Sequence, residues 1–488
     1  MTVTFEDWSE AAFKKALAGE KPVLLSISAS WCRWCHEMDK QTYSHSEVTA
    51  LLKENFIAVR VDSDQRPDIN VRYNQGGWPS TVFLTPSGQI LTGATFLPPR
   101  DFLEVSQQVL RIYRSLIIKG KITRILEKEE DKPYTPEKIS YEAKKAFFDS
   151  DKINYLNKFE ADVKERFDVL HGGFGMGQKF PHVDALRFCL KRYLKTKDGE
   201  LFHILTRSLE AYGEGGLFDH IDGGFFRYVT ERNFESPHSE KILEDNLKLA
   251  LLYSEAGLYL CENRFTKVSI LTLEFIKKWL FENPFYYPSV DEGEAYYRNF
   301  SCEERGKSEK PGVDKTVYAN INGLAASILS DLGKVEEARN LVRTLYTEFR
   351  DKRGFLYHRR GVDESLRLLS DQVYPLLALT KVFPEQSQTI GDFLRLLLVN
   401  FYDEENGGFY DRMREEVEIG LLKQRVKPLE ENLVLVELLR KSGFKERAEK
   451  SLIEIFNLYR EPSLYNAPLA VFLLSDTGPT RQIISPIV

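Results

Sequence analysis

Cysteine is scarce in this sequence, five in 488 residues. That excludes a disulfide-stapled scaffold, which packs many cysteines into a short chain. Long apolar runs are also lacking. The longest, such as 270–281, are broken by Lys and Glu, and none reaches the roughly 20 residues of a membrane span. No basic tract stands out and the formal net charge is −6, which argues against a nucleic-acid partner. Residues 1–15 contain no apolar core, so they do not read as a signal peptide. These absences together lead to an expectation of a cytoplasmic, reducing compartment, with no membrane association.

The composition, 42% hydrophobic and 29% charged, suits a soluble globular chain of two to four domains, or one with a single large helical domain. Cys189, Cys261 and Cys302 are isolated, and the first two lie in helical, apolar contexts expected of core thiols. Only Cys32 and Cys35 are spaced for chemistry.

Residues 21–28 read as a buried strand opened by Pro22, and the cysteine pair follows at once. A helix is expected over 37–52, a second strand over 56–62 and a short helix over 66–73. Gly76-Gly77-Trp78-Pro79 marks a turn, and strands 80–84 and 89–91 flank Pro86-Ser87-Gly88. A helix over 99–116 ends the series. The order β-α-β-α-β-β-α is that of a thioredoxin-like α/β domain, here residues 1–120. A linker rich in Lys, Glu and Pro occupies 121–139. From 140 to 488 nearly every segment carries the 3.6-residue period of helix, for example 184–195, 243–261 and 433–441. A glycine-aromatic phrase returns between helices, as Gly172-Gly173-Phe174, Gly223-Gly224-Phe225, Gly354-Phe355 and Gly407-Gly408-Phe409. Recurring helical hairpins suggest an α/α toroid, with an irregular helical bundle as the alternative.

Cys32-Arg33-Trp34-Cys35 sits between a strand and a helix, which places Cys32 at a helix N-terminus. There the helix dipole and free amides favour a thiolate, and Arg33 adds positive charge. Cys32 is expected to attack and Cys35 to resolve. Pro79 is expected to be cis, to face the pair and to belong to the catalytic set, and Trp31 and Trp78 are candidates for ligand binding. A half zinc site using His36 or His45 is an alternative, as is a binding scaffold with idle cysteines. No cofactor and no metal are expected.

Trp31-Cys32-Arg33-Trp34-Cys35-His36, Arg66-Pro67-Asp68-Ile69 and Gly76-Gly77-Trp78-Pro79-Ser80-Thr81 resemble the N-terminal domain of the spermatogenesis-associated protein 20 family. Further phrases match in the helical part: Lys179-Phe180-Pro181, Asp219-His220-Ile221-Asp222-Gly223-Gly224, Pro237-His238-Ser239-Glu240-Lys241 with Asp245-Asn246, and Lys427-Pro428-Leu429-Glu430-Glu431-Asn432. The resemblance implies a C-terminal (α/α)6 barrel similar to six-hairpin glycosidases and N-acylglucosamine 2-epimerases. This chain departs from the family pattern at Arg33, Ser239, Glu244 and Ile321, where the family usually has His, Phe, Tyr and Trp. Its tail, 481–488, lacks the family's cysteines.

Glycosidases need two carboxyl groups about the scissile bond, and epimerases need an acid/base pair on opposite faces of a sugar. His238, Asp222, Asp245 and Glu240 are the catalytic candidates here. Asp219, His220, Asp371 and Glu430 are candidates for ligand binding. Each acid also suits a plain helix cap. Three functions follow. One is a thiol-disulfide oxidoreductase acting on a disulfide-bearing protein partner. The second is a carbohydrate hydrolase or epimerase with a sugar or small polar ligand in the barrel. The third is a non-enzymatic interaction protein, which a buried Cys32 or a plugged barrel centre would favour.

Overall fold

The computed structural model describes residues 3–118, 139–299, 301–362 and 366–476. The expected linker, apart from Ile139, and the 481–488 tail lie outside them. The chain forms two compact units, Met1–Ile139 with Arg414–Arg425, and Ser140–Met413 with Val426–Val488.

In the first unit β1 (Glu6–Asp7), β2 (Val23–Ser28), β3 (Ile57–Asp62), β4 (Ser80–Leu84) and β5 (Ile90–Ala94) form one sheet of order β1-β3-β2-β4-β5. The first three run parallel, and the last two are antiparallel. β2 is apolar on both faces because both are covered. Ile27 packs with Phe13, Ile69 and Tyr73 on one side, and Leu24 with Met38, Phe83 and Phe102 on the other. Helices α1 (Glu10–Ala18), α2 (Arg33–Gln41), α3 (Ser46–Asn55), α4 (Pro67–Tyr73) and α5 (Pro99–Ile118) supply those layers. The helix expected over 37–52 is two helices. Between them Thr42 donates to the Leu97 carbonyl at 2.7 Å, and Tyr43 packs edge-on against Phe5 and Phe102. Tertiary contacts override local helix preference there.

Arg414–Arg425 belongs to this unit although it is remote in sequence. Leu422 is buried in the cluster of Phe13 and Tyr73. The Leu421 amide donates to the Tyr73 hydroxyl at 2.8 Å, which itself donates to the Gly88 carbonyl at 2.7 Å. Gly420 has φ +56° and passes so close to Tyr73 and Gly88 that a Cβ would overlap both.

The second unit alternates outer and inner helices. The outer ones are α6 (Tyr141–Arg166), α8 (Gly199–Glu214), α10 (Asn263–Trp279), α12 (Val335–Glu348), α14 (Ser387–Asn400) and α16 (Lys445–Leu458). The inner ones are α7 (Val183–Thr196), α9 (Leu243–Leu260), α11 (Ala319–Asp331), α13 (Ser370–Val382), α15 (Leu429–Lys441) and α17 (Ala467–Asp476). Each inner helix packs on the next in the order α7-α9-α11-α13-α15-α17, and α17 returns to α7. The ring is therefore closed: an (α/α)6 barrel, as the family resemblance implies.

One device recurs at four hairpins among the described residues. Asp168, Asp219, Asp351 and Asp403 each begin a tight turn before a glycine-aromatic phrase. One carboxylate oxygen accepts two turn amides, for instance Leu170 and His171 at Asp168, or Glu405 and Asn406 at Asp403. The other accepts a buried cation: Lys179 at 2.7 Å, Lys241 at 2.7 Å, Arg367 at 2.8 Å and Lys427 at 2.9 Å. The paired glycines take positive φ to close the turn, 78° at Gly223 and 77° at Gly224. At three of these hairpins, and also at Tyr286, an inner-helix amide clamps the loop. Asn246 accepts from the Phe225 amide at 2.6 Å and donates to its carbonyl at 3.0 Å. Asn322 does the same to Tyr286, Gln372 to Leu356 and Asn432 to Phe409.

Asn246→Leu leaves the Phe225 amide and carbonyl buried without partners. We expect a loss on the order of 3 kcal/mol in urea unfolding, against under roughly 0.5 kcal/mol for Asn263→Ala at an exposed site. Equal losses would show that the clamp does not hold the loop.

Candidate functional site

Cys32 and Cys35 form a disulfide, and Cys32 is the N-cap of α2. Its Sγ accepts the Cys35 amide at 3.2 Å, so a helix-terminal N–H points at the sulfur that would carry thiolate charge. Trp78-Pro79 is a cis peptide. The Trp78 ring lies 5.4 Å from that of Trp31, and Trp31 donates to Asp64 at 3.0 Å. The cis-proline turn is thereby brought to the residue preceding Cys32. Both sulfur-bearing residues are buried, Cys32 with 4% of its surface exposed. Trp34, next but one, is 43% exposed and packs on Phe96.

Several expected barrel residues are taken up by the turn device. Asp219 is paired with Lys241 and Arg305, the latter at 2.8 Å to both oxygens. Burial works against its charge, but these two cations outweigh it and hold the carboxyl below the usual range. Asp222 bonds Lys278, Arg305 and the Tyr296 hydroxyl, each at 2.9 Å. Burial opposes its charge too, but Lys278 and Arg305 keep its pKa at about 2. His220 lies against the Gly215 carbonyl at 3.3 Å. Asp371 is fully buried, 2.9 Å from His358 Nδ1 and accepting the Asn320 amide at 3.2 Å. These contacts tie loops to inner helices.

His238, Glu240 and Asp245 lie at or before the first turn of α9, and Glu430 lies in the first turn of α15. His238 Nδ1 lies 3.3 Å from the buried carboxylate of Glu240. Its ring stacks on Tyr228 at 4.3 Å, and Tyr228 stacks on Phe180 at 4.7 Å. Arg227 acts electrostatically on both Glu240 and Asp245. Burial, reinforced by Glu244, pushes Asp245 up to about 6. Burial and Glu430 push Glu431 up to about 7. A carboxyl with such a pKa can hold or release a proton near neutrality.

Lys248, Arg227 and His358 were not anticipated from sequence. Glu244 and Lys248, four apart, carry the signature of an ordinary surface pair. Yet Lys248 bonds Glu244 at 2.8 Å and also Glu430 at 2.9 Å. His358 offered no local signal, because its partner Asp371 lies across a loop. Among the described residues no group of three or more His, Cys, Asp or Glu is placed to hold a metal ion, and no helix is long and apolar enough to cross a membrane.

The family model described as Thioredox_DsbH, protein of unknown function, DUF255, matches residues 1–130. Human spermatogenesis-associated protein 20 is 30% identical over 339 residues, covering 64% of this chain and 41% of that protein. The uncharacterized protein B0495.5 of Caenorhabditis elegans is 29% identical over 362 residues, 69% of this chain and 48% of that one. The chain thus spans less than half the length of these curated relatives. Among solved structures, a sugar epimerase from a ruminal bacterium aligns with 68% of this chain and 99% of its own, at TM-score 0.52 and 13% identity. The cellobiose 2-epimerase of Bacillus thermoamylovorans aligns with 66% and 100%, at TM-score 0.50 and 12% identity; at such identities the likeness is one of fold. By sequence the chain resembles the spermatogenesis-associated protein 20 family, and its fold is a thioredoxin-like domain followed by an (α/α)6 helical domain.

Proposed function

We propose that the first unit is a thiol-disulfide oxidoreductase working through Cys32 and Cys35. The observation that carries this is the Cys32–Cys35 disulfide at the N-terminus of α2, with a helix amide on Cys32 Sγ. In the reduced protein the Cys32 thiolate attacks one sulfur of a partner's disulfide and expels the other as a thiolate. The Cys35 thiolate then attacks Cys32 Sγ, closing the internal disulfide and releasing the partner's second thiol. Two electrons pass to the partner, and its thiolates take up the two protons that the cysteines lose. Exposed Trp34 beside the pair supplies an apolar contact for a protein partner. Three further cysteines remain free, which supports placement in a reducing cytoplasm.

A second reading concerns the barrel. The His238–Glu240 pair, stacked on Tyr228 and set near Asp245, favours a small polar or carbohydrate ligand handled by acid/base groups. The 4% exposure of Cys32 favours a third reading, a binding domain whose cysteines do not turn over. Alkylation separates the first from the third. Rapid alkylation of the reduced chain against pH, with Cys32→Ser beside it, is expected to show one fast thiol with an apparent pKa below the ordinary value of about 8.5. Slow alkylation, or no difference from Cys32→Ser, removes the redox reading.

The barrel reading has its own pH signature. Asp245 and Glu431 have folded pKa values above their unfolded ones, about 6 and about 7. The stability they contribute is fully present below the unfolded values and is lost as pH rises through 6 and 7. The Asp245→Asn/Glu431→Gln variant cannot lose it. Its Tm, measured from pH 5 to 8, is expected to gain on the wild type as pH rises; parallel curves would place the two carboxyls in ordinary solvent.

A further inference from the structure

Helices α9 and α15 stand second and fifth in the closed ring of six, on opposite walls. Lys248 projects from α9 and Glu430 from α15, and the two meet at 2.9 Å. That contact spans the lumen. The same ammonium group bonds Glu244 on its own helix at 2.8 Å. Glu244 and Glu430 keep 44% and 40% of their side-chain surfaces open, against 20% for Lys248. The interior is therefore crossed at this level: two half-open carboxylates flank a more deeply set ammonium group.

We propose that Lys248 is the positioning residue of a site for a neutral, polyhydroxylated ligand: its ammonium group occupies the place a cationic ligand would take, and it holds Glu244 and Glu430 at a fixed span on opposite walls, where they accept hydroxyl groups. This inference rests on the reading of the barrel as a carbohydrate-type site. The groups facing Lys248 are Asp184 on α7, Glu244 on α9, Tyr374 on α13 and Glu430 on α15. With so many acids and one central cation, a site lacking Lys248 would select amines. With it, the charge is largely met from within.

The neighbouring carboxyls follow from the same arrangement. Lys248 holds Glu244 below the usual carboxylate range. Glu430 benefits from Lys248 as well, but burial and the nearby Asp184 and Glu244 push it up. Asp245 and Glu431, one residue further along each helix, are raised by burial and by these same neighbours, and Lys248 restrains both. The cup then offers acceptors at Glu244 and, beside it, carboxyls that exchange a proton near neutrality, a set that matches hydroxyl groups, which both give and accept hydrogen bonds.

The test uses the full chain, cellobiose as probe, and Lys248→Met, Lys248→Arg and Glu430→Gln variants. The infrared band of protonated carboxyls is titrated from pH 5 to 9, and binding is measured by calorimetry. Lys248→Met is expected to move the carboxyl titration to higher pH and to weaken cellobiose binding at least about tenfold, the scale of one lost charged hydrogen bond. Lys248→Arg, which keeps the charge, restores both. Glu430→Gln removes the charge of the cross-lumen pair together with one anionic ligand acceptor and weakens binding similarly, which guards against a Lys248→Met chain that fails to fold. An unmoved titration in Lys248→Met, cellobiose binding that ignores both Lys248→Met and Glu430→Gln, or tighter binding of 1,4-diaminobutane than of cellobiose by the wild type overturns the proposal. Absence of cellobiose binding by the wild type counts against the carbohydrate reading, and the infrared titration still decides the role of Lys248.

Discussion

At each of four hairpins in the helical unit a single carboxylate serves two neighbours. One oxygen gathers the amides of a tight turn, and the other holds a lysine or arginine that precedes an inner helix. The loop and the helix it feeds are thereby locked at one buried point. Breaking such a pair from one side strands a charge and costs about 3–5 kcal/mol. At three of the four, an Asn or Gln clamp one turn into the inner helix completes the lock. With loop and helix start held together at hairpin after hairpin, the first turns of the inner helices are placed around one axis, and the ring can close.

That placement has an electrostatic consequence. First turns of helices favour acidic residues because of the helix dipole, so a ring of them gathers carboxyl groups. Asp371 lies 2.9 Å from His358 Nδ1 and accepts the Asn320 amide. Glu244 and Glu430 share Lys248. Asp245 and Glu431 have only partial relief, and burial raises them. The chemistry of the lumen is thus a by-product of how the barrel is built, available for acid/base work. The dithiol centre of the first unit rests on a different principle, one helix terminus aimed at one sulfur.

Much of this was legible in the sequence, for reasons that can be named. The apolar strand at Val23–Ser28, the cysteine pair after it and the Trp78-Pro79 turn specify the thioredoxin-like domain, because each step has a local signature. The glycine-aromatic phrases marked the hairpins, since positive φ demands glycine. Among the helices that escaped notice are α1 and α17. In α1 only Ala12, Phe13 and Ala16 are buried, too few to set a period. In α17 nearly every residue is apolar, so no amphipathic stripe appears. Asp219 and Asp222 were read as site residues because an acid capping a turn and an acid poised for catalysis look alike in one dimension. Arg305, which claims both, sits more than eighty residues away. Arg414–Arg425 could not be foreseen as part of the first unit, because its apolar residues read equally well as barrel core.

The proposed redox capacity resides in Cys32 and Cys35 and in no other thiol of the chain. Mass-spectrometric redox titration in glutathione buffers tests it most directly. The account predicts that Cys32 and Cys35 interconvert as one two-electron couple, while Cys189, Cys261 and Cys302 form no bond to each other at any poise. A pair that stays oxidised or reduced across the whole range, or a transition that involves Cys261 or Cys302 instead, would contradict it.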